Sequence, residues 1–263
     1  MSASARKVGE MEWRDFADRG RNDMARAWVI ARKDMRIYYL KPPVLIFGVL
    51  MPVFLFLAFM IRRNLDATAL IPGVMAMTIF FSSSTVTSAA IPWERAQRTY
   101  DRLLTAPVSL VAVLWGKALA GILFGVAVSI VPLLVGVLAF GMPVSQPWLL
   151  VLTVLISACA FASLGVLLAS VSTPSVGNIM MLGNMIRLPL IFVSGIFIPL
   201  AELPSWGRPI AFISPLTYCN DLLNHSIAGT AYLPPSVDVV VLVAFWAAFL
   251  LVGARLHGLS KKA

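Results

Sequence analysis

Nine residues, Glu94 to Arg102, carry five charges in an otherwise strongly apolar chain: Glu94, Arg95, Arg98, Asp101 and Arg102. Charges at this density can hold phosphate, pair with one another, or grip a partner. The first option lacks its apparatus. A phosphate-binding loop needs G-x-x-x-x-G-K-[ST], whose backbone amides cradle the phosphates. Here Gly116-Lys117 is followed by Ala118, and Val111 stands where the first glycine belongs. This polypeptide is therefore not expected to hydrolyse ATP by itself. His225 and His257 are the only histidines and form no Ser/His/Asp set. Cys159 and Cys219 have neither disulfide-framework nor metal-ligand spacing. No catalytic, metal or cofactor site is expected in this chain.

Pairing and gripping remain. Glu94 and Arg98 are four apart, in the favourable order on a helix, and Arg98 and Asp101 are three apart. Ala96, Tyr100, Leu103 and Leu104 share one face. Pro92 suits a helix start and Pro107 a stop. The spacing predicts a short amphipathic helix over about 92–106. Its bland reading is a turn-around between two apolar segments; its functional reading is a docking surface.

A second polar group sits where charge is costly. Arg187 interrupts the apolar run "NIMMLGNMIRLPLIF", so it must face an interior, a partner or water rather than lipid. Asn184 is three residues before it and Asn178 shares the segment, while "SSSTVTS" from Ser82 to Ser88 puts Ser84 and Ser88 in another apolar run. Arg187, Asn184, Asn178, Ser84 and Ser88 read either as a polar translocation route at a subunit seam or as packing groups. "GILFG", Gly121 to Gly125, fits close helix approach.

The elements that must hold these residues follow from composition. Of 263 residues, 59% are hydrophobic and 13% charged, with mean hydropathy +0.87. A soluble domain is nearer half apolar and a quarter charged. Six apolar runs approach the ~20 residues that span a bilayer: about 43–61, 69–91, 112–140, 148–170, 176–199 and 237–254. The expected class is an all-α integral membrane protein. Residues 1–42 form a tail and helix, 43–254 the membrane domain with an outer loop at 200–236, and 255–263 a basic tail. No cleavable leader is expected, because the first forty residues are polar and basic.

The net charge of +9 is distributed asymmetrically. Ten Lys and Arg fall in 1–42, four in 92–117 and three after residue 254; Arg62, Arg63 and Arg208 fall on the other side. The positive-inside bias places both termini and the charged insert in the cytoplasm. The basic residues are read as flanks of spans, so a lipid bilayer and no nucleic acid is expected as partner. Before the first span, Met24, Trp28, Ala31, Met35 and Tyr38 recur at helical spacing with Arg26, Arg32, Lys33 and Arg36 opposite. Asp23 suits the N-cap and Pro42-Pro43 the stop. Such a helix is expected to lie in the membrane interface, with Trp28 in its apolar stripe and Arg32, Lys33 and Arg36 toward anionic lipid.

"ERAQRTYDRLLTAPVS" resembles the segment between the second and third spans of membrane subunits of type-2 ATP-binding cassette (ABC) transporters. It matches at Glu94, Arg95, Thr99, Arg102, Leu103, Leu104, Pro107, Val108 and Ser109. It departs at Arg98, where glycine is usual, and at Tyr100 and Asp101. "SGIFIPLAELPSWGRPIAFISPLTY" resembles the family's passage from the fifth span into the outer loop, matching at Ser194, Gly195, Pro199, Leu203, Pro204, Trp206, Pro215, Leu216, Thr217 and Tyr218. Asn224 and His225 stand where the family usually has an arginine. The resemblance implies an exporter permease subunit of the plasma membrane, paired with a second copy, with ATP and Mg2+ bound by a separate ATPase subunit. It implies that Glu94, Arg95, Arg98, Asp101, Arg102, Leu103 and Leu104 form the coupling helix seated in that ATPase. It also implies that the segment with Pro204, Trp206, Pro215 and Tyr218 forms short outer re-entrant helices. A secondary transporter or channel needing no ATPase, or a non-transporting scaffold, is the competing reading.

Overall fold

The computed structural model describes residues 23–60, 67–97, 110–170 and 175–260. Among them every regular element is helical. Helix α1 spans 23–38. Helix α2 comprises Pro42–Leu45, a π-helical turn Ile46–Leu50, and Met51–Met60. Then come α3 (Ala67–Ala96), α4 (Leu110–Leu134, continued by a π turn Val135–Ala139), α5 (Pro147–Ala169) and α6 (Val176–Val193). After these follow the short α7 (Gly207–Ala211), α8 (Pro215–Ala228) and the long α9 (Pro235–Ser260).

The six expected spans fall on α2 to α6 and α9. Four segments are long and apolar enough to cross a membrane: Leu70–Ala96, Ala112–Ala139, Pro147–Ala169 and Pro235–Leu256. Shorter apolar helices, Ile46–Leu55 and Gly177–Val193, lie in α2 and α6. Large apolar side chains such as Ile130, Val131, Leu138, Val240 and Leu251 are exposed on α4 and α9. Apolar surface of that extent belongs against lipid.

Helix α3 is the axis of the bundle. Every residue from Ile71 to Pro92 is buried, and α4, α5, α6 and α8 all pack on it. Because α3 never meets lipid it tolerates a run of hydroxyls. Ser84 Oγ donates to the Phe80 carbonyl at 2.6 Å and Thr87 Oγ1 to that of Ser83 at 2.9 Å, as buried polar groups require, while Ser83 Oγ and Thr85 Oγ1 have no hydrogen-bond partner among the described residues. Ser82 Oγ reaches across to the Gly48 carbonyl of α2 at 2.6 Å.

Two boundaries depart from the sequence reading. Pro92 opens no separate helix, since α3 runs through it to Ala96. An internal proline forfeits one backbone hydrogen bond, but the buried contacts of Trp93 and Glu94, described below, hold that turn in place. The fifth apolar run was expected to reach 199, yet α6 stops at Val193; Gly195 then takes φ +81, a conformation that suits glycine. Downstream, α8 is almost wholly buried and ends at Gly229, φ +73. Asp221 accepts from the amides of Tyr232 and Leu233 at 2.8 to 3.1 Å, fixing the turn into α9.

Candidate functional site

Helix α1 buries Ala27, Ile30, Ala31, Asp34 and Tyr38. Of the expected stripe, Ala31 and Tyr38 are buried and Met35 half-buried, while Met24 is 68% and Trp28 50% exposed. The buried face also carries charge. Asp34 is fully buried against α4, where its Oδ2 lies 3.4 Å from Lys117 Nζ, itself fully buried. Lys117 Nζ is also 2.7 Å from Glu94 Oε2 at the end of α3. Lys33 closes the figure, 2.9 Å from Asp34 Oδ1 and hydrogen-bonded to Glu94 Oε1. Asp34, Lys33, Glu94 and Lys117 thus form a ring of alternating charge, electrically neutral, joining α1 to the end of α3 and the beginning of α4. Burial alone would lower the affinity of Lys33 for its proton. The Asp34 charge and the hydrogen bond to Glu94 outweigh it and hold the ammonium above its ordinary range, so Lys33 stays cationic throughout the physiological range.

Packing reinforces the ring. Tyr38 stacks on Trp93 with centroids 5.3 Å apart and planes 2° from parallel. Tyr39 donates to the Ala120 carbonyl at 2.7 Å and packs on Phe124. At Gly116 a Cβ would stand 2.7 Å from the Ala27 carbonyl, so α1 and α4 touch backbone to backbone. On its outer side α1 presents Arg26, Arg32 and Arg36 with Met24, Trp28 and Val29.

The residues expected in the docking helix divide accordingly. Glu94 is only 2% exposed and is engaged by the two lysines rather than offered to a surface; Arg95 is half-buried. Arg98, Asp101, Arg102, Leu103 and Leu104 lie outside the described residues. Asp34 and Lys117 escaped the sequence reading. An acid beyond the N-cap among the basic residues of α1, in register with Ala27, Ile30 and Tyr38, was the available signal.

The polar residues of the apolar runs come together in part. Arg187 is fully buried and its Nη2 donates to Ser88 Oγ at 2.9 Å. Its Nε and Nη1, with Asn184 Oδ1, are buried without hydrogen-bond partners among the described residues. The guanidinium folds back over Gly183, where a Cβ would stand 2.9 Å from Nη1. Ser84 is turned to its own helix and Asn178 is exposed at the start of α6. Asn184 also lines a groove of about 670 Å³ between α2, α3 and α6, with Phe47, Trp93, Met180, Met181 and Met185.

In the segment between α6 and α9, Pro204 is exposed and Trp206 is 72% exposed, whereas Pro215 and Tyr218 are buried. Tyr218 donates to the Phe212 carbonyl at 2.9 Å, and Arg208 holds the carbonyls of Leu203 and Ala201. His225 meets Gln146 at 3.4 Å.

The chain is 24% identical over 184 residues to the inner membrane transport permease YadH of Escherichia coli, covering 70% of this chain and 71% of that protein. It is 26% identical over 172 residues to the probable multidrug ABC transporter permease YbhR of the same organism, covering 65% of this chain and 45% of YbhR. A family model described as ABC-2 type transporter matches residues 25–227, from the first turn of α1 to the end of α8. With its helical bundle, its lipid-suited exterior and this match over most of its length, the chain belongs to the ABC-2 type transporter family of membrane proteins.

Proposed function

We propose that this chain is the permease subunit of an ABC exporter. It crosses the plasma membrane six times with both termini in the cytoplasm, pairs with a second copy, and is driven by ATP and Mg2+ on a separate ATPase subunit. The observation that carries the reading is the family match over 25–227, joined to a charged segment, 98–109, between two helices long enough to span. In this reading that segment docks the ATPase through Arg98, Arg102, Leu103 and Leu104, and Glu94 anchors its start. An ATP-independent transporter of the broken-helix kind rests on buried ionisable groups along a route; among the described residues, Arg187 is the one arginine or lysine buried at the middle of a span helix.

The groove between α2, α3 and α6 is the candidate route. It is apolar apart from Asn184, and methionines adapt to varied shapes, which suits a hydrophobic or amphipathic small molecule. The printed description of YbhR as a probable multidrug permease is in keeping with that class.

Because Glu94 is buried, the docking test belongs on the insert itself. Arg98→Glu with Arg102→Glu is expected to cut co-purification of the ATPase at least tenfold while membrane insertion stays normal. Full export by a preparation from which every ATPase is absent would refute the permease reading. A second measurement concerns Arg187. Arg187→Leu is expected to leave thermal stability in detergent nearly unchanged or higher, since replacing a buried charge by an apolar residue of fair fit is often neutral or stabilising. ATP turnover of the assembled complex is expected to fall several-fold; unchanged turnover would assign Arg187 to packing alone.

A further inference from the structure

Two carboxyl groups meet at the seam of α8 and α9. Asp221 is 6% exposed, and Asp238, in the first turn of α9, is fully buried. Asp221 is well supplied with donors, accepting from the amides of Tyr232 and Leu233. Asp238 is not: neither of its oxygens meets a hydrogen-bond donor among the described residues. What faces it, within hydrogen-bond reach, is the Asp221 carboxyl. The seam lies toward the end of the bundle remote from the ring of Lys33, Asp34, Glu94 and Lys117. Helix α4 runs away from Lys117, and beyond it the amides of Ser145 and Gln146 donate to the carbonyls of Ile227 and Ser226 at the end of α8.

A buried carboxylate without a partner is too costly to persist, and two in contact cost more. No positive side chain is at hand. Helix α9 packs on α5, α8 and α4. Helices α5 and α8 carry neither lysine nor arginine, and α4 carries only Lys117, engaged in the ring. On α9 itself the first basic residue is Arg255, about 25 Å further along the helix. Tyr218 and Cys219 of α8 adjoin Asp238 and supply no positive charge, and His225 is turned to Gln146. A metal ion would need more oxygens than the pair offers. Calcium takes about six to eight, and no third His, Cys, Asp or Glu joins the two among the described residues. A proton needs nothing further. It makes Asp238 the donor, and Asp221, already stabilised by two amides, the acceptor of a charge-assisted hydrogen bond.

We propose that Asp221 and Asp238 form a proton-binding site, in which one proton shared between the two carboxyls latches the start of α9 to α8. When that proton leaves to water, both groups are charged, they repel one another, and the seam is released. The folded pair holds a proton that the ordinary aspartates of an unfolded chain give up well below neutral pH. The folded state therefore binds more protons than the unfolded one, and its stability falls as pH rises. The site is independent of any ATPase and of the groove between α2, α3 and α6.

The test is infrared spectroscopy of the full chain in lipid nanodiscs, with thermal unfolding measured alongside. At neutral pH the natural chain is expected to show the carbonyl band of a protonated carboxylic acid, which fades as pH is raised. Asp238→Asn is expected to lose that band and still fold, because its amide donates to Asp221 in the proton's place. Between about pH 6 and about pH 9 the melting temperature of the natural chain is expected to fall by roughly 4 °C more than that of Asp238→Asn. Should this variant fail to accumulate, Asp221→Asn takes its place, since it too leaves one carboxylate facing an amide, and the same loss of the band is expected. Absence of the band from the natural chain at neutral pH overturns the site, as does its persistence in either variant. A melting temperature raised several degrees by calcium chloride or sodium chloride in the natural chain but not in Asp238→Asn, with no such band, assigns the pair to a metal cation and overturns the proton.

Discussion

Gly121→Leu, Gly125→Leu and Gly165→Leu are each expected to abolish accumulation of the protein in the membrane. These glycines are where α4 and α5 meet the central helix at backbone distance. A Cβ on Gly121 would stand 2.6 Å from the Ser83 carbonyl and collide with Thr87 Oγ1. On Gly125 it would overlap the Ser83 hydroxyl, with Ser83 Cβ at 3.1 Å. On Gly165 it would stand 2.6 Å from the Ser84 carbonyl. Real Cβ atoms do not come so close; at Gly121 and Gly165 the obstacle includes backbone that cannot rotate aside, and at Gly125 it is the Ser83 side chain. Association of membrane helices relies on close packing of small residues because lipid supplies no hydrophobic drive between them, so prising α4 or α5 off α3 forfeits the contact that builds the bundle. Overpacking a soluble core costs about 1–3 kcal/mol; a leucine here is expected to exceed that range. Gly253→Ala is the control: its Cβ would meet Leu167 at 3.4 Å, an ordinary contact, and its melting temperature is expected to stay within a few degrees of the natural chain. Normal membrane amounts of Gly121→Leu, read by fluorescence-detected chromatography, would mean that α3 and α4 are not packed as described.

Lys117→Met is the second large effect. The substitution leaves Asp34 and Glu94 buried with one of the ring's two lysines, Lys33. Removing one partner of a buried ion pair costs about 3–5 kcal/mol, because the partner left behind is desolvated and unpaired. The protein is expected to lose most of its thermal stability in detergent and to expose α1 to limited proteolysis near residue 40. Asp34→Asn in the same chain restores neutrality and is expected to recover more than half of the loss, a coupling of about 1–3 kcal/mol of the kind neighbouring residues show in a double-mutant cycle. Strict additivity of the two substitutions would show that Lys117 and Asp34 do not interact.

Both effects begin in residues that the sequence displays but does not connect. The six apolar runs and the charge bias were legible because hydropathy and charge are properties of single segments: a bilayer needs about 20 apolar residues whatever the neighbours do. The Ser/Thr run of α3 and the Gly121–Gly125 pair were legible as close-packing signals. Which helix each would meet was not, because a stripe of small residues fits many partners equally well. The register of α1 is the instructive case. Its hydropathy favours a stripe through Met24, Trp28, Ala31, Met35 and Tyr38; the fold buries Ala31 and Tyr38 of it and adds Asp34, a carboxylate that hydropathy alone does not place inside, beside Lys117, 83 residues away.

The same holds for Glu94 and Arg187. Spacing along the chain offers Glu94 a partner four residues on, Arg98, and the fold gives it two lysines from other helices. Arg187 was recognisable as a buried charge from its apolar surroundings alone; that it meets Ser88, and keeps two of its donors without partners, required α3 and α6 to be laid side by side. The sequence by itself determined the class of solvent and the helical segments, since each depends on local composition. Only the tertiary structure decided which charges neutralise one another, because a buried ion pair is a relation between distant residues whose energy exists only once water has been excluded from both.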